Sequence, residues 1–487
     1  MQSRFLDTLR TLTLGFLVAA VWSGAGQAQT WTTLKNKAPF DASTALQLTD
    51  GRILVQAYGA SQYYTLTPDN TGSYVNGTWT EVASLPSNYG PLYYASAVLP
   101  DDRVIVMGGE YNFLSADWTN LGAIYDPVAN TWTKVAAPSG WSEIGDAESV
   151  VLPNGTFLLA SCCHSTPQQA TLDASTLAWT VVGTGKADSY DEEAYTLLPS
   201  GALLTVDANN TSDPLNFELY LPAKAKWVSG GSTGIQLADP SSHELGPGPL
   251  LPNGNVFYIG ATGNTAVYTP SATGAGSWVA GPKFPNIGGQ LDVADGPAAV
   301  LPDGNVLIQA SPGVYNPPSY FFEYNGTTLT QVAATSTASG EPSYVGRMLV
   351  LPTGQILWTD GSTNVEIYTA AGTYSSAWQP VVKAVAKSLT PGSSYAIQGT
   401  LFNGMDAGAY YGDDAQMATN YPLVQIINKA TGHVFYARTY GHSSMAVASS
   451  ATVTTHFAVP TGIETGASSL VVVANGIPSA PVAININ

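Results

Sequence analysis

Ten carboxylates fall in five short windows of this 487-residue chain: Glu143, Asp146 and Glu148; Asp191, Glu192 and Glu193; Glu244, preceded by His243; Asp292 and Asp295; and Glu341. Crowding like charges raises the pKa of some carboxyls and leaves others ionised, the condition for one acid and one base in glycoside hydrolysis. Carboxylates also grip sugar hydroxyls or a hard cation such as calcium. Tyr94, Tyr190, Tyr195 and Tyr344 fall near the same windows and would offer aromatic platforms to sugar rings. Each type has an ordinary use as well: polar residues at strand starts cap exposed loops, and tyrosines there pack the rim.

The two cysteines are adjacent, Cys162-Cys163, with His164 next. In an exported chain such a pair is expected to join as a disulfide between neighbours, which fixes local backbone and closes no long loop. Seven and eight residues after Gly155, it would sit at the end of a returning strand as a rigid apolar disc beside the acids. It then either touches a ligand or pins the chain; a redox or Cys-Cys-His metal role is the third use, though a closed zinc site lacks ligands. Asp413-Asp414, after Tyr410-Tyr411-Gly412, reads as a solvated turn, with calcium ligation or a place on the funnel rim as alternatives.

Such residues need a scaffold. The chain is 45% hydrophobic and 10% charged, enough to bury one large core or two ordinary ones. Its 49 Gly and 32 Pro interrupt long helices, and 26 Tyr and 11 Trp suit β-structure. Leu-Pro-x-Gly or a near copy recurs every 46 to 53 residues, beginning at Leu48, Leu99, Leu152, Leu198, Leu251, Leu301 and Leu351. Each copy lies between short apolar runs, such as Ser96-Ala97-Val98 and Val104-Ile105-Val106-Met107, and so forms a hairpin turn. An aromatic strand and then a Trp strand follow: Tyr125 with Trp132, Tyr220 with Trp227, Tyr268 with Trp278, Tyr368 with Trp378. Trp79 and Trp179 take the same place in their units, and Leu329 breaks the rule. Four short strands per unit in seven units predict a seven-bladed β-propeller, with the acid windows at the strand starts of one funnel.

The second unit, Val104-Ile105-Val106-Met107-Gly108-Gly109 with Ile124-Tyr125-Asp126 and Asn130-Thr131-Trp132, resembles a kelch repeat. From about Ser388 a new alternation opens with Tyr395-Ala396-Ile397-Gln398-Gly399-Thr400-Leu401-Phe402 and closes with Leu470-Val471-Val472-Val473-Ala474-Asn475-Gly476-Ile477-Pro478-Ser479. This stretch is similar to the immunoglobulin-like early-set domain of the galactose oxidase and glyoxal oxidase family. The resemblance implies an all-β chain: a kelch-type seven-bladed β-propeller over residues 29–384 and an early-set β-sandwich over 385–487. It also implies copper held by two tyrosines and two histidines, one tyrosine being cross-linked to a cysteine. Tyr344, ten residues before Gly354, matches the axial tyrosine, but Val345 stands where a histidine is expected. Tyr93, nine before Asp102, matches the cross-linked tyrosine, with Tyr94 beside it, while Ala42 or Ser43 replaces the cysteine. Tyr440-Gly441-His442-Ser443-Ser444 matches the histidine loop that enters the propeller axis. With one histidine and no cross-link partner the copper-radical mechanism should be absent, since such a site would hold copper poorly.

Arg4 and Arg10 before the apolar run Leu12 to Trp22, with Gly26-Gln27-Ala28 after it, read as a cleaved secretory signal peptide over residues 1–28. A secreted or periplasmic protein with no integral membrane segment after cleavage follows. Sixteen Lys and Arg against 34 Asp and Glu give a net charge of −18, which repels phosphate backbones and removes nucleic acid as a partner. The expected function is binding of extracellular carbohydrate, with Tyr94, Asp146, Glu148, Cys162, Cys163, His243, Asp292, Asp295 and Tyr344 as contacts. No cofactor is expected, calcium being the ion the acids would suit. The alternative is a glycan-cleaving hydrolase or lyase, in which Asp191, Glu192, Glu193 or Glu244 and the loop His442 transfer protons. A residual copper-dependent carbohydrate oxidase is the third possibility.

Overall fold

The computed structural model describes residues 29–164, 166–414 and 417–487; the expected signal peptide lies outside them. The described chain is β-structure with a few single-turn 3-10 segments, and each repeat unit forms one antiparallel sheet. The second unit is typical: Ala95–Val98, Val104–Met107, Gly122–Asp126 and Thr131–Lys134 pair in chain order, and the inner two strands are wholly buried. Seven such sheets succeed one another. The fifth has three strands, Val256–Ile259, Thr265–Thr269 and Ser277–Ala280, with Leu250 adding a single bridge.

The Leu-Pro-x-Gly copies turn the inner hairpins. Six end in glycines at φ between +77° and +88°, where a side chain would be strained. The second copy puts Asp102 at φ +80° instead, and its carboxylate meets Arg438 of the C-terminal region at 2.5 Å. The outer Trp residues tie each sheet to the one before it. Trp132, Trp179 and Trp79 donate their indole N–H groups to the carbonyls of Ala83, Ala136 and Asn36 at 2.8, 2.7 and 3.0 Å. Trp378 does not serve the last unit in this way. Its outer strand is Thr30–Thr33, paired with Val365–Thr369, so that Trp31 lies against Phe321 and Tyr368 and donates to Ala333 at 2.7 Å. The ring is therefore closed by the N-terminal strand, and Trp378 sits in a 3-10 turn over Gly304.

The C-terminal strands enclose a separate core that includes Ile397, Phe402, Val424, Phe457, Leu470, Val472 and Ile484. Val434–Tyr440 joins its two sheets, pairing with Leu423–Asn428 through its first half and Val453–Ala458 through its second. This region packs on the turn face of the propeller: the Gly441 N–H donates to Pro100 O at 2.7 Å and the Tyr421 hydroxyl to Gln47 O at 2.5 Å. One segment goes further. Ala409–Tyr410 pairs with Ala298 and Ala299 on the innermost strand of the sixth sheet and carries the following residues up the propeller axis.

Candidate functional site

At the end opposite the turns, the loops leading into the inner strands surround a cavity of about 560 Å³. Six carboxylates line it, Glu110, Asp146, Glu192, Glu244, Asp295 and Asp413, with Tyr58, Tyr93, Tyr111, Tyr315, Tyr344, Leu92 and Leu114. Asp146, Glu192, Glu244, Asp295 and Tyr344 come from five successive units, each ahead of its inner strand, which is why the repeat spacing brings them together. Tyr93, Glu192 and Asp295 hold φ of +51°, +62° and +51°. Left-handed backbone at non-glycine residues costs energy and persists where the surroundings enforce it, here around the cavity mouth.

The floor comes from elsewhere. The segment after Tyr410 places Asp413 in the cavity, 3% exposed, where a solvated turn was expected; the strand pairing of Ala409–Tyr410 holds it there. Beneath it, Arg347 is buried with its guanidinium 3.7 Å from the centre of the Tyr411 ring and 5.1 Å from that of Tyr93. Its Nη1 donates to the carbonyls of Tyr344 and Gly346 at 2.7 and 2.9 Å. The Tyr411 hydroxyl donates to Tyr344 O at 2.6 Å, fixing the axial segment to the seventh unit. Gly412 has no room for a side chain, because a Cβ there would stand 2.0 Å from Asp295 Oδ1 and 2.9 Å from its Cα. Gly412→Ala is expected to displace the segment and lower stability by about 1–3 kcal/mol in denaturant unfolding; an unchanged midpoint would refute the close contact.

The cavity is electrostatically one-sided. Glu192, Asp295 and Asp413 each offer one oxygen, and these oxygens lie within 4.8 Å of one another. Glu244 joins them by hydrogen bonding with Glu192 and Asp295, and it accepts from the Tyr315 hydroxyl. Burial first, and then mutual repulsion, push the pKa values of Asp146, Glu192, Asp295 and Asp413 well above the usual carboxyl range. Glu110 is pushed up to about 7 by burial and by the charges of Asp414, Glu244 and Asp191.

Beside the cavity, Cys162 and Cys163 form the expected disulfide. The Cys163 sulfur lies 3.5 Å from Asp191 Oδ1 and 3.9 Å from Asp146 Oδ1, so the rigid disc does border the acids. Asp191 and His243 belong to this flank: His243 Nδ1 lies 3.0 Å from Ala208 O, and burial raises the Asp191 pKa with His243 nearby acting against it. Neither they nor the cysteines are among the residues lining the cavity.

Other expected site residues lie elsewhere. Glu193 faces away from Glu192 to a buried Lys186, accepting at 2.8 Å, and takes the Thr205 hydroxyl at 2.9 Å. Glu148 is fully buried behind the cavity, within the field of Lys186. Tyr94 is enclosed with its hydroxyl 3.0 Å from that of Tyr63, because Tyr93 takes the cavity side. Tyr190 and Tyr195 are core residues packed on Trp227. Asp292 lines a separate depression with Asp239 and Gln290, because its strand pairs outward with Ser311 and Pro312. Glu341 faces Asp360 and Thr337, and Glu143 lies 3.7 Å from His164. His442 is buried on the turn face, its Nδ1 2.7 Å from the Thr455 hydroxyl, and burial lowers its pKa to about 3. It does not enter the axis, since Asp413's segment does. Glu110, Tyr58, Tyr111 and Tyr315 are cavity residues that the repeat spacing missed, coming from other loops, and Arg347, at the start of a strand, supports the floor without lining the cavity.

No family model matches this sequence. A kelch-like protein, terF, of Aspergillus terreus is 31% identical over 86 residues, which is 17% of this chain and 18% of that protein. Among solved structures, a fungal alcohol oxidase of the AA5 family in complex with copper aligns with a TM-score of 0.50 and 14% identity over 95% of this chain and 99% of that one. The extracellular domain of a putative hybrid two-component system from B. thetaiotaomicron aligns with a TM-score of 0.47 and 10% identity, over 96% of this chain and 60% of that one. At such identities the likeness is one of fold: this chain has the all-β, galactose oxidase-like fold of the fungal oxidase, as its kelch-type repeats imply.

Proposed function

We propose that this galactose oxidase-like chain is exported and binds extracellular carbohydrate in the acidic cavity. The observation that carries the reading is the lining itself: five tyrosine rings and six carboxyl groups facing one space of about 560 Å³. That volume falls in the range of small-molecule sites. Carboxyl groups, protonated or ionised, hydrogen bond with sugar hydroxyls, and tyrosine rings cover the apolar faces of pyranoses. The copper-radical group that the fold brings to mind does not fit these donors. Tyr93 and Tyr344 face the cavity, but no histidine is among its lining residues, and both cysteines are bonded to each other. No copper step is part of the reading.

A second reading, a glycan-cleaving enzyme, is favoured by Glu110, whose pKa of about 7 suits a general acid at neutral pH. The two readings separate in one experiment. Purified protein is incubated with a panel of poly- and oligosaccharides, binding is followed by calorimetry, and products by mass spectrometry. Binding without products supports the first reading, and water-gaining or unsaturated fragments support the second. Removing one ring in Tyr344→Ala is expected to weaken binding on the order of tenfold. A panel that neither binds nor changes overturns both.

A further inference from the structure

The cavity floor gathers buried carboxyl oxygens around one point. Glu192 and Asp295 come from loops of the fourth and sixth units and Asp413 from the axial segment, yet one oxygen of each falls within 4.8 Å of the others. Asp413 and Glu244 are each 3% exposed, and apart from protons shared among the carboxyls themselves, Asp413 Oδ2 and Glu244 Oε2 have no hydrogen-bond partner. Glu192 Oε2 and Asp295 Oδ1 are likewise buried without one. The charge of Arg347 reaches Asp295, but its Nη1 donates to two backbone carbonyls and its plane packs on Tyr411 and Tyr93. Without an ion such carboxyls are held neutral by protons, and three chain segments that bring their oxygens to one point offer a hard cation a ready exchange for those protons.

We infer that Glu192, Asp295 and Asp413, backed by Glu244, bind a hard divalent cation of the calcium class at the cavity floor. The donors are oxygens only, with no imidazole or thiolate among them, which favours calcium, magnesium or manganese over zinc or copper. The ion ties the axial segment to the propeller loops. The inference does not rest on the carbohydrate reading, and its test contains no sugar.

The whole protein is stripped with EDTA, dialysed, and titrated with calcium chloride by calorimetry, then with terbium, whose luminescence the cavity tyrosines sensitise. About one ion per chain is expected, with a dissociation constant on the order of micromolar. Asp413→Asn should weaken calcium binding by on the order of a hundredfold. It should also abolish the calcium-dependent rise in melting temperature while leaving the stripped protein folded by circular dichroism. Asp213→Asn, on an exposed loop, should change neither. Glu192→Gln serves as the second ligand variant should Asp413→Asn not fold. If stripped, folded wild-type protein takes up no calcium, magnesium or manganese at about millimolar concentration, above the range in which such sites fill, the site does not exist. Unchanged affinity in both ligand variants equally overturns the assignment.

Discussion

Replacing Lys186 by methionine is expected to lower the unfolding free energy at neutral pH by about 3–5 kcal/mol. The ammonium is 0% exposed and has three protons to donate. Asp188 takes one at short range, Glu193 and Glu218 take the others at 2.8 Å, and Asp207 stands at 3.9 Å. Burial works against the charge, but attraction from Glu193, Asp188, Asp207 and Glu218 outweighs it and holds the lysine's pKa well above its usual value. The carboxylates are further engaged: Asp207 by the Asn210 and Asn216 amides at 2.8 and 2.6 Å, Asp188 by the Asn209 N–H at 3.0 Å. Exchanging a whole buried ion cluster for apolar groups is often harmless, whereas removing one partner strands the rest. Methionine strands four acids around one hole. Denaturant unfolding of wild type and Lys186→Met at pH 7 measures the loss, and Glu193→Gln in the Lys186→Met background should recover part of it. A loss below about 1 kcal/mol would mean that the cluster does not bear the charges drawn for it.

The same cluster shows where sequence was legible and where it was not. The turn repeat could be read because proline and left-handed glycine mark a hairpin wherever they stand, and counting back along each inner strand placed Asp146, Glu192, Glu244, Asp295 and Tyr344 around one space. Counting could not tell Glu192 from Glu193, or Tyr93 from Tyr94. Adjacent residues leave a strand on opposite sides, and the left-handed backbone at Glu192 and Tyr93 resets the alternation just where it matters. The axial segment was hidden for another reason. His442 sits in a motif that resembles an axial histidine loop, but the segment that enters is chosen by Ala409–Tyr410 pairing with a strand more than a hundred residues earlier. That pairing leaves no local pattern, so Asp413-Asp414 looked like a surface turn. Arg347 escaped notice because nothing about an arginine at the start of an apolar strand announces that it lies between two tyrosine rings.

In the presence of chelator, thermal stability is expected to fall as pH rises from about 4.5 to 8. The carboxyls that burial has raised fix the sign. Asp406 is enclosed, its pKa pushed up to about 7 by burial against one hydrogen bond from the Gly408 N–H. Burial likewise pushes Glu110 to about 7, Asp102 to about 6 and Glu341 to about 8. Each folded-state pKa exceeds its unfolded value, so between roughly pH 4 and these values the folded chain holds protons that the unfolded chain has released. Their stabilising contribution is complete below the unfolded pKa and is lost as pH climbs through the folded one. For Asp406, the most enclosed of them, ionisation in the folded chain costs up to about 4 kcal/mol. Lys186 adds no slope in this window, because it stays protonated in both states. Asp69, where hydrogen bonds from Thr71, Asn76 and Ser73 outweigh burial and hold the pKa at about 2, acts with the opposite sign but only at the acid edge of the range. Melting curves at half-unit intervals in EDTA test the slope, and Asp406→Asn should flatten it by removing one of its shares. A melting temperature that is level or rises across the range would show that these carboxyls are ionised in the folded protein, and that their surroundings are wetter or better paired than their burial implies.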